Sequence, residues 1–200
     1  MKKILYTLAL LISFSSFGQT AEEYYNSGYD KAEAKDDSGA ISDYTKAIEL
    51  NPNYTSAYYN RGVSKNNLKD DYGAISDYTK AIELDPNDTK AYVNRGISKK
   101  NLKDYNGAIS DYTKAIELNP NDALAYYNRG NSKHILKDYY GAISDYTKAI
   151  ELNPNDAGAY VNRGISKEDL GDLNGACADW KKAAELGDTE AAGWVANQCN

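Results

Sequence analysis

The chain has 200 residues, 42% of them apolar, and its 29 acidic residues outnumber 23 basic ones for a formal net charge of −6. That length and apolar content are sufficient for a buried core. Proteins that bind nucleic acid need clustered Lys and Arg to displace counterions from phosphates, and the body of this chain has no basic run. The composition therefore argues against nucleic acid and anionic membrane surfaces as partners.

Residues 1–18 differ from the rest of the chain. Lys2 and Lys3 precede an apolar segment, residues 4–17, and a small residue on either side of Phe17 suits cleavage before Gln19. This pattern is typical of a secretory signal peptide, and the segment is too short for a spanning helix. We predict an exported protein, periplasmic or extracellular, that has no stable membrane insertion after cleavage. The alternative is an uncleaved membrane anchor.

Two consequences follow from that interpretation. Loss of Lys2 and Lys3 leaves 21 basic residues against 29 acidic ones, a net charge of −8. No Cys follows the apolar segment, which argues against a lipid-anchored lipoprotein.

The twelve residues GAISDYTKAIEL occur four times at a spacing of 34 residues, beginning at Gly39, Gly73, Gly107 and Gly141. In the second copy the apolar residues have the spacing of one face of an α-helix. A strand would place the adjacent Ala74 and Ile75 on opposite faces. The repeated segment is therefore predicted to be an amphipathic helix.

A turn and a second helix separate successive copies. Pro86 disfavours helix in the residue before it, and Asp88 can cap the helix that follows, over about 89–102. Thr20 and Glu23 have the spacing of a capping box two periods before Asp88. The sequence thus predicts a series of antiparallel helix pairs that begins directly after the signal peptide.

A helix-turn-helix unit of 34 residues resembles the tetratricopeptide repeat, whose pattern is W-x2-L-G-x2-Y, then A-x3-F, then P. In the second unit Gly62, Ala74 and Pro86 match the pattern, and Tyr58 and Tyr78 are aromatic substitutes. The resemblance implies an all-α, right-handed α-solenoid whose first helices line a concave groove. It has five units (21–54, 55–88, 89–122, 123–156, 157–190) and a C-terminal capping helix at 191–200.

Two columns depart from that family's pattern. Arg replaces the Leu at Arg61, Arg95, Arg129 and Arg163, and each of these units has an Asp in its second helix: Asp77, Asp111, Asp145 and Asp179. We predict that each Arg covers apolar surface with its stem and pairs with the Asp of its own unit. The first unit has Ser27 instead, so Asp43 would lack that partner. The Lys65 column is predicted to have a half-buried stem and a solvated head.

Candidate catalytic groups are scarce. His134 is the only histidine, and Cys177 lies in the last unit, so neither a His-based metal cluster nor a nucleophile–base pair can be assembled. We expect no enzymatic activity, no metal and no cofactor. The tyrosines recur in fixed columns and are predicted to fill the core: Tyr24, Tyr58, Tyr92, Tyr126 and Tyr160 in first helices, and Tyr44, Tyr78, Tyr112 and Tyr146 in second helices.

The first helices vary at positions expected to face the groove, whereas four of the second helices share the same twelve residues. One row contains Tyr25, Tyr59, Val93, Tyr127 and Val161. A second row contains Tyr29, Val63, Ile97, Asn131 and Ile165, and a third contains Ala32, Asn66, Lys100, His134 and Glu168. The first two rows form an apolar stripe that suits a bound peptide. The alternative is that these residues only pack helices.

An asparagine column accompanies these rows, at Asn60, Asn94, Asn128 and Asn162. We predict that these amides bond to the backbone of a bound peptide or to one another. Some tetratricopeptide domains clamp C-terminal carboxylates with Lys and Asn from successive first helices. Here the corresponding Lys column holds Tyr and Val, so that clamp is not predicted.

The fifth copy of the repeated segment, GACADWKKAAEL, begins at Gly175 and departs from the others. Terminal units of a solenoid differ because no neighbour covers them. Trp180 replaces Tyr, and Trp194 begins a sixth unit that stops, so the last helix is expected to lie on the fifth unit as a lid. The segment also resembles the Sel1-type repeat over about 15 residues. Cys177 and Cys199 could form a disulfide in an oxidising compartment, or remain free.

The sequence as a whole predicts an exported, non-enzymatic scaffold that binds a peptide or protein segment in its groove. The alternative is a structural array that self-associates into a homo-oligomer.

Overall fold

The structure, a computed structural model, describes residues 19–199, so the predicted signal peptide lies outside the described residues. Within them the chain forms eleven α-helices and no strand. The helices are α1 (Ala21–Glu33), α2 (Asp37–Leu50), α3 (Thr55–Asn67), α4 (Asp71–Leu84), α5 (Thr89–Asn101), α6 (Tyr105–Leu118), α7 (Ala123–Ile135), α8 (Tyr139–Leu152), α9 (Ala157–Asp169), α10 (Leu173–Glu185) and α11 (Thr189–Gln198).

Side-chain caps begin most of these helices where the sequence indicates. Thr20 and Glu23 form the predicted capping box at α1. Asp88 accepts hydrogen bonds from the backbone N–H groups of Lys90 and Ala91 at α5, as predicted. The second helix of each pair is also capped by an Asp, whose carboxylate accepts a hydrogen bond from the backbone N–H of the glycine three residues later. These residues are Asp36, Asp70, Asp104, Asp138 and Asp172. These caps fix the helix starts from short-range sequence alone.

Each helix packs against the next along the chain, and the odd-numbered helices also contact one another in order from α1 to α9. The odd-numbered helices form one layer and the even-numbered helices the other. This arrangement confirms the predicted all-α solenoid of five helix pairs with a final helix.

An aromatic side chain on each even-numbered helix fills the space between the two helices of a pair. Tyr44, Tyr78, Tyr112, Tyr146 and Trp180 are all buried. Each ring faces a glycine on the odd-numbered helix, and a Cβ added at Gly96 would lie 2.6 Å from the ring of Tyr112. The glycine column is therefore a steric requirement, because real Cβ atoms do not approach that closely.

The first-helix tyrosines are only half-buried, so the prediction that they fill the core is only partly right. Four of them instead carry an arginine on the ring face, with Cζ 5.5–5.6 Å from the ring centroid, as in the pair of Tyr92 and Arg95. A guanidinium over an aromatic face is attracted by the ring quadrupole and shields the ring from solvent.

The predicted pairs between Arg and Asp are confirmed in all four units. In the third unit Arg95 donates two hydrogen bonds to Asp111, from Nε to Oδ2 at 3.0 Å and from the terminal guanidinium nitrogen to Oδ1 at 2.7 Å. The prediction for the lysine column is wrong about its head group. Lys99 Nζ lies 2.8 Å from Asp111 Oδ2, and the other lysines of the column pair in the same way. A carboxylate has more acceptor sites than a bidentate arginine uses, so the lysine satisfies sites on the buried Asp that the arginine leaves open.

The arginines also join neighbouring units. Arg95 donates a third hydrogen bond to Thr79 Oγ1 of the preceding unit at 3.1 Å, and the same bond recurs for the other three arginines. Asp43, in the first unit, has no arginine, as predicted, but accepts hydrogen bonds from Lys31 and Ser27. Burial by itself would raise the pKa of Asp43, but these hydrogen bonds and the charges of Lys31 and Lys46 together lower it.

The last helix is a lid on the fifth pair, as expected. Trp194 packs against Trp180, with ring centroids 5.2 Å apart, within a cluster that includes Ala183 and Ala191. The helix begins at Thr189 rather than at the predicted Ala191, because Asp188 caps it by accepting from the backbone N–H of Ala191.

Replacing Asp111 with Asn is expected to destabilise the protein by about 3 kcal/mol, because Arg95 and Lys99 would lose their only buried counter-charge. The matched control is Asp43→Asn, which removes the counter-charge of one ion-paired cation, Lys31, whose side chain is 40% exposed. That change should cost about 1 kcal/mol or less. Urea denaturation followed by circular dichroism measures both, and equal losses would contradict the account.

Candidate functional site

The three variable rows lie on the layer of odd-numbered helices, on a face that we call the groove. In the first row Tyr25, Tyr59, Tyr127 and Val161 are half-buried. Val93 is only 5% exposed and belongs to a core cluster with Tyr112. Its predicted place on the groove surface is therefore wrong.

The alternative that the asparagines of the column bond to one another is wrong, and bonding to a peptide backbone stays a prediction. Asn60, Asn94 and Asn162 donate hydrogen bonds from Nδ2 to tyrosine hydroxyls of the preceding unit, at 2.9–3.0 Å. The acceptors are Tyr25, Tyr59 and Tyr127, respectively. The asparagines do not bond to one another. Each bond instead ties two adjacent odd-numbered helices and fixes the position of the amide.

Asn128 behaves differently because the preceding unit offers Val93 in place of a tyrosine. Its Nδ2 donates to the backbone carbonyl of Leu124 at 3.0 Å, within its own helix, and the side chain is buried. Asn128 is therefore also not on the groove surface, contrary to the prediction. Val93 and Asn128 together interrupt the apolar stripe in its middle.

The second row supplies exposed apolar surface and one polar exception. Tyr29 is 49% exposed, and Val63, Ile97 and Ile165 are half-buried. Asn131 replaces the aliphatic residue in the fourth unit, and its Oδ1 accepts a hydrogen bond from the Tyr146 hydroxyl at 2.7 Å. In the third unit Ile97 stands at the position of Asn131, and the equivalent hydroxyl, that of Tyr112, is buried without a partner among residues 19–199.

The third row completes the polar part of the groove. Asn66 accepts a hydrogen bond from Ser98 Oγ at 2.9 Å, and His134 Nδ1 lies 2.9 Å from Ser166 Oγ, so both side chains reach the next unit. His134 Nε2 also lies 3.7 Å from Asp169 Oδ2. The serines come from a buried column that the sequence analysis did not consider.

Cavities on this layer include one in each half of the array and a smaller one, of about 210 Å³, beside Tyr29 and Val63. The N-terminal cavity has a volume of about 580 Å³ and is lined by Tyr25, Tyr59, Asn60 and residues of the loop before α5. The C-terminal cavity has a volume of about 330 Å³. It is lined by Lys100, Tyr105, Asn131, His134, Ile135, Tyr146, Asn162 and Ile165.

Of the predicted groove residues, Tyr25, Tyr59 and Asn60 line the N-terminal cavity and Asn131 and Ile165 line the C-terminal cavity, whereas Val93 and Asn128 line neither. Three lining residues of the C-terminal cavity were not predicted: Tyr105, Ile135 and Tyr146. Tyr146 belongs to the constant segment, where variation between copies could not indicate it. Exposed Ile135 replaces Asn at an equivalent position in two earlier units, a difference that the sequence does show.

Tyr59, and the buried tyrosines of the even-numbered helices behind it, are neutral hydrogen-bonding groups. Burial raises the pKa of Tyr59, with a smaller contribution from Asp88, and the hydrogen bond from Asn94 only partly offsets the effect. Burial likewise raises the pKa of Tyr146 and of the equivalent second-helix tyrosines. Their hydroxyls can therefore donate and accept at neutral pH, and they carry no charge.

At the C-terminal end, Cys177 and Cys199 form a disulfide with their Cα atoms 5.5 Å apart. It joins α10 to the residue that follows α11. Cys177 also belongs to the cluster around Trp180, so the covalent link and the apolar packing hold the lid at the same place.

Two further observations concern residues 19–199. No group of three or more His, Cys, Asp or Glu side chains is arranged to hold a metal ion there. None of the helices in this part of the chain has the length and apolar content to cross a membrane.

Comparison with protein-family models gives matches along the helical part of the chain. The model described as "Tetratricopeptide repeat" matches residues 55–88, 89–122 and 123–156, which together are more than half of the chain. The chain belongs to the tetratricopeptide repeat (TPR) family. Further TPR models match residues 28–67 and 145–178.

Solved structures similar to this TPR protein include MamA, which is 28% identical with a TM-score of 0.80 over 86% of this chain and 94% of its own. MamA from Desulfovibrio magneticus RS-1 is 23% identical, with a TM-score of 0.80 over 84% and 96%. YrrB, described as a TPR protein with an unusual peptide-binding site, is 22% identical, with a TM-score of 0.78 over 88% and 92%. These similarities concern the fold. A search of curated proteins found no match.

Reduction of the disulfide is expected to loosen the lid. The link closes a segment with a sequence separation of 22 residues, and in the chain-entropy model it is worth about 3 kcal/mol. Amide protection in α11 should therefore fall by about a hundredfold on reduction. Hydrogen exchange with mass spectrometry measures this, and the amides of α2 serve as the internal control. Unchanged protection in α11 would show that packing around Trp180 alone holds the lid.

Proposed function

We propose that this TPR protein is an exported scaffold that binds an extended or helical segment of another protein in its groove. The observation that carries the proposal is the pair of cavities on the layer where the units differ. The even-numbered helices keep the same residues because each meets the same neighbours, whereas the groove changes from unit to unit.

The N-terminal cavity has groups that suit a peptide backbone. The Asn60 amide is held in place by its bond to the Tyr25 hydroxyl, which uses one of its two N–H groups. Its remaining N–H and its carbonyl oxygen can pair with a peptide N–H and C=O. The adjacent rings of Tyr25 and Tyr59 supply apolar contact for side chains. A preorganised amide beside aromatic surface lowers the entropy cost of binding.

The opposite layer is a weaker candidate for binding. Its exposed aromatic residues, Tyr72 and Tyr140, are 76% and 77% exposed and lie two units apart. Single exposed aromatic residues are normal on a protein surface, and only contiguous apolar patches indicate binding. These two tyrosines therefore serve as controls for the groove tyrosines.

A library of randomised nine-residue peptides, acetylated and amidated, tests the proposal. The protein should retain a subset of peptides, and the variant Tyr59→Val with Tyr127→Val should lose about 90% of that capture, because a buried aromatic contact is worth at least 1–2 kcal/mol. Val already occupies this column at Val93 and Val161, so the variant should fold.

The matched control is Tyr72→Asn with Tyr140→Asn, which introduces the residues found in that column at Asn106 and Asn174. Capture by the control should equal that of the unaltered protein. Equal losses in both variants, or no capture by any of the three proteins, would reject the groove as the binding site.

Self-association is the second candidate function. The groove of one copy could be filled by a segment of another, and mass determination by light scattering across a hundredfold range of concentration distinguishes the two cases. A peptide-binding scaffold stays monomeric over that range, whereas a self-associating array doubles its mass. A dimer that dissociates on addition of captured peptides would favour self-association through the groove.

Export is proposed from the N-terminal sequence and supported by the disulfide, since disulfides persist in oxidising compartments. Residues 1–18 have the charge and apolar pattern of a cleaved signal. The similarity of the last unit to Sel1-type repeats remains a prediction.

If the chain is exported, the protein recovered from its own cells should begin at Gln19 and carry no free thiol. Intact-mass and N-terminal peptide analysis without reductant measure both properties. Lys3→Glu together with Leu10→Arg should block processing, because a signal needs its positive start and apolar centre. Recovery of unprocessed, fully alkylatable protein from the unaltered gene would contradict export.

A further inference from the structure

The C-terminal cavity gathers residues at which the units differ most. Lys100, Asn131 and His134 all line it, and none of them has the same residue at the equivalent position of another unit. The change from an aliphatic residue to Asn131 occurs in one unit only. The cavity is therefore a local feature of the third to fifth units and not a property of the repeat.

Lys100 is a half-buried amine without an acidic partner among residues 19–199. Its Nζ has one hydrogen-bond contact there, with Asn128 Oδ1 at 3.4 Å. The neighbouring Lys99, in contrast, is 2.8 Å from Asp111. Burial lowers the pKa of Lys100. A charge in such a place favours an incoming anion.

Asn131 adds oriented donors beside that amine. Its Oδ1 accepts from the Tyr146 hydroxyl at 2.7 Å and from Asn162 Nδ2 at 3.1 Å. Two donors on the oxygen fix the amide orientation and leave Nδ2 with both hydrogens unpaired among the described residues. Asn162 cannot compete for the same ligand through Nδ2, because that group also donates to the Tyr127 hydroxyl.

The remaining lining completes the selection for a carboxylate on an aliphatic stem. Ile135, Ile165 and Tyr105 supply apolar walls. Among the ion pairs of residues 19–199, one involves a lining side chain, His134 with Asp169 at 3.7 Å, and none involves Lys100. An amine and a free amide across a partly apolar cavity are complementary to the two oxygens of a carboxylate.

We propose that the C-terminal cavity binds the side-chain carboxylate of a Glu or Asp within the bound segment, through Lys100 and Asn131. The proposal rests on the proposed function, since the acidic residue belongs to the peptide in the groove. An internal residue fits because groove residues continue on both sides of the cavity, with Tyr59 in the second unit and Val161 in the fifth. A chain that ended in the cavity would leave one side unused.

The randomised, acetylated and amidated library used above also tests this inference, by sequencing the retained peptides. The unaltered protein should enrich Glu or Asp about tenfold at one position, because a charge-assisted hydrogen bond in a half-buried site is worth about one order of magnitude in affinity. Lys100→Met keeps the stem and should abolish the acidic enrichment while apolar enrichment persists.

Asn131→Ile introduces the residue of Ile97 and Ile165 and should reduce the acidic enrichment about threefold to tenfold. The fold tolerates the unpaired Tyr146 hydroxyl that results, since Tyr112 has that environment already. Lys114→Met, which removes an exposed lysine paired with Glu117 on the opposite layer, is the control and should leave the enrichment unchanged.

The outcomes separate the two proposals. If no peptide is retained, the groove function fails. If peptides are retained without acidic enrichment, or if Lys100→Met leaves that enrichment intact, the groove function stands and the carboxylate site is rejected. A second library with free C-termini tests the source of the carboxylate, and enrichment that requires the free terminus would overturn the assignment to a side chain.

Discussion

The structure depends on one buried carboxylate per unit, held by two cations. Asp111 is 3% exposed, and it is stable there because Arg95 and Lys99 both bind it and Arg95 also reaches Thr79 of the preceding unit. The same group of side chains orients the two helices of a unit and registers that unit against its neighbour. The first and fifth units depart from it: Ser27 replaces the arginine in the first unit, and Lys181 replaces the threonine in the fifth.

Most of the scaffold was predictable because it is periodic. Helix positions follow from local caps and apolar spacing, and the pairing of Arg with Asp follows from two polar columns that recur at the same spacing in four units. The pairing of Lys99 with Asp111 was missed because the sequence shows that the column is charged but not where its ammonium groups point. A lysine stem of that length can reach either solvent or a carboxylate on the facing helix, and only the distance between the helices decides between them.

The groove was less predictable because it depends on contacts between units. Whether Asn128 faces the groove depends on the residue 35 positions earlier, where Val93 offers no hydroxyl. The sequence contains that signal, since three of the four asparagines have a tyrosine 35 positions earlier and Asn128 has a valine. The meaning of this difference, however, depends on the distance between adjacent odd-numbered helices. Burial of Val93 was not predictable from side-chain type either, because Val161, the same residue in the same row, is half-buried.

The identical contacts between units have a genetic consequence. DNA that encodes near-identical repeats recombines out of register, and such events remove or add whole 34-residue segments. Loss of residues 89–122 would place Thr79 beside Arg129 and the Tyr59 hydroxyl beside Asn128, so every tie between units would be restored. The same event would delete Val93 and Lys100 together. Array length can therefore change what the groove recognises in a single heritable step, without a new point mutation and with the remaining units still tied to one another.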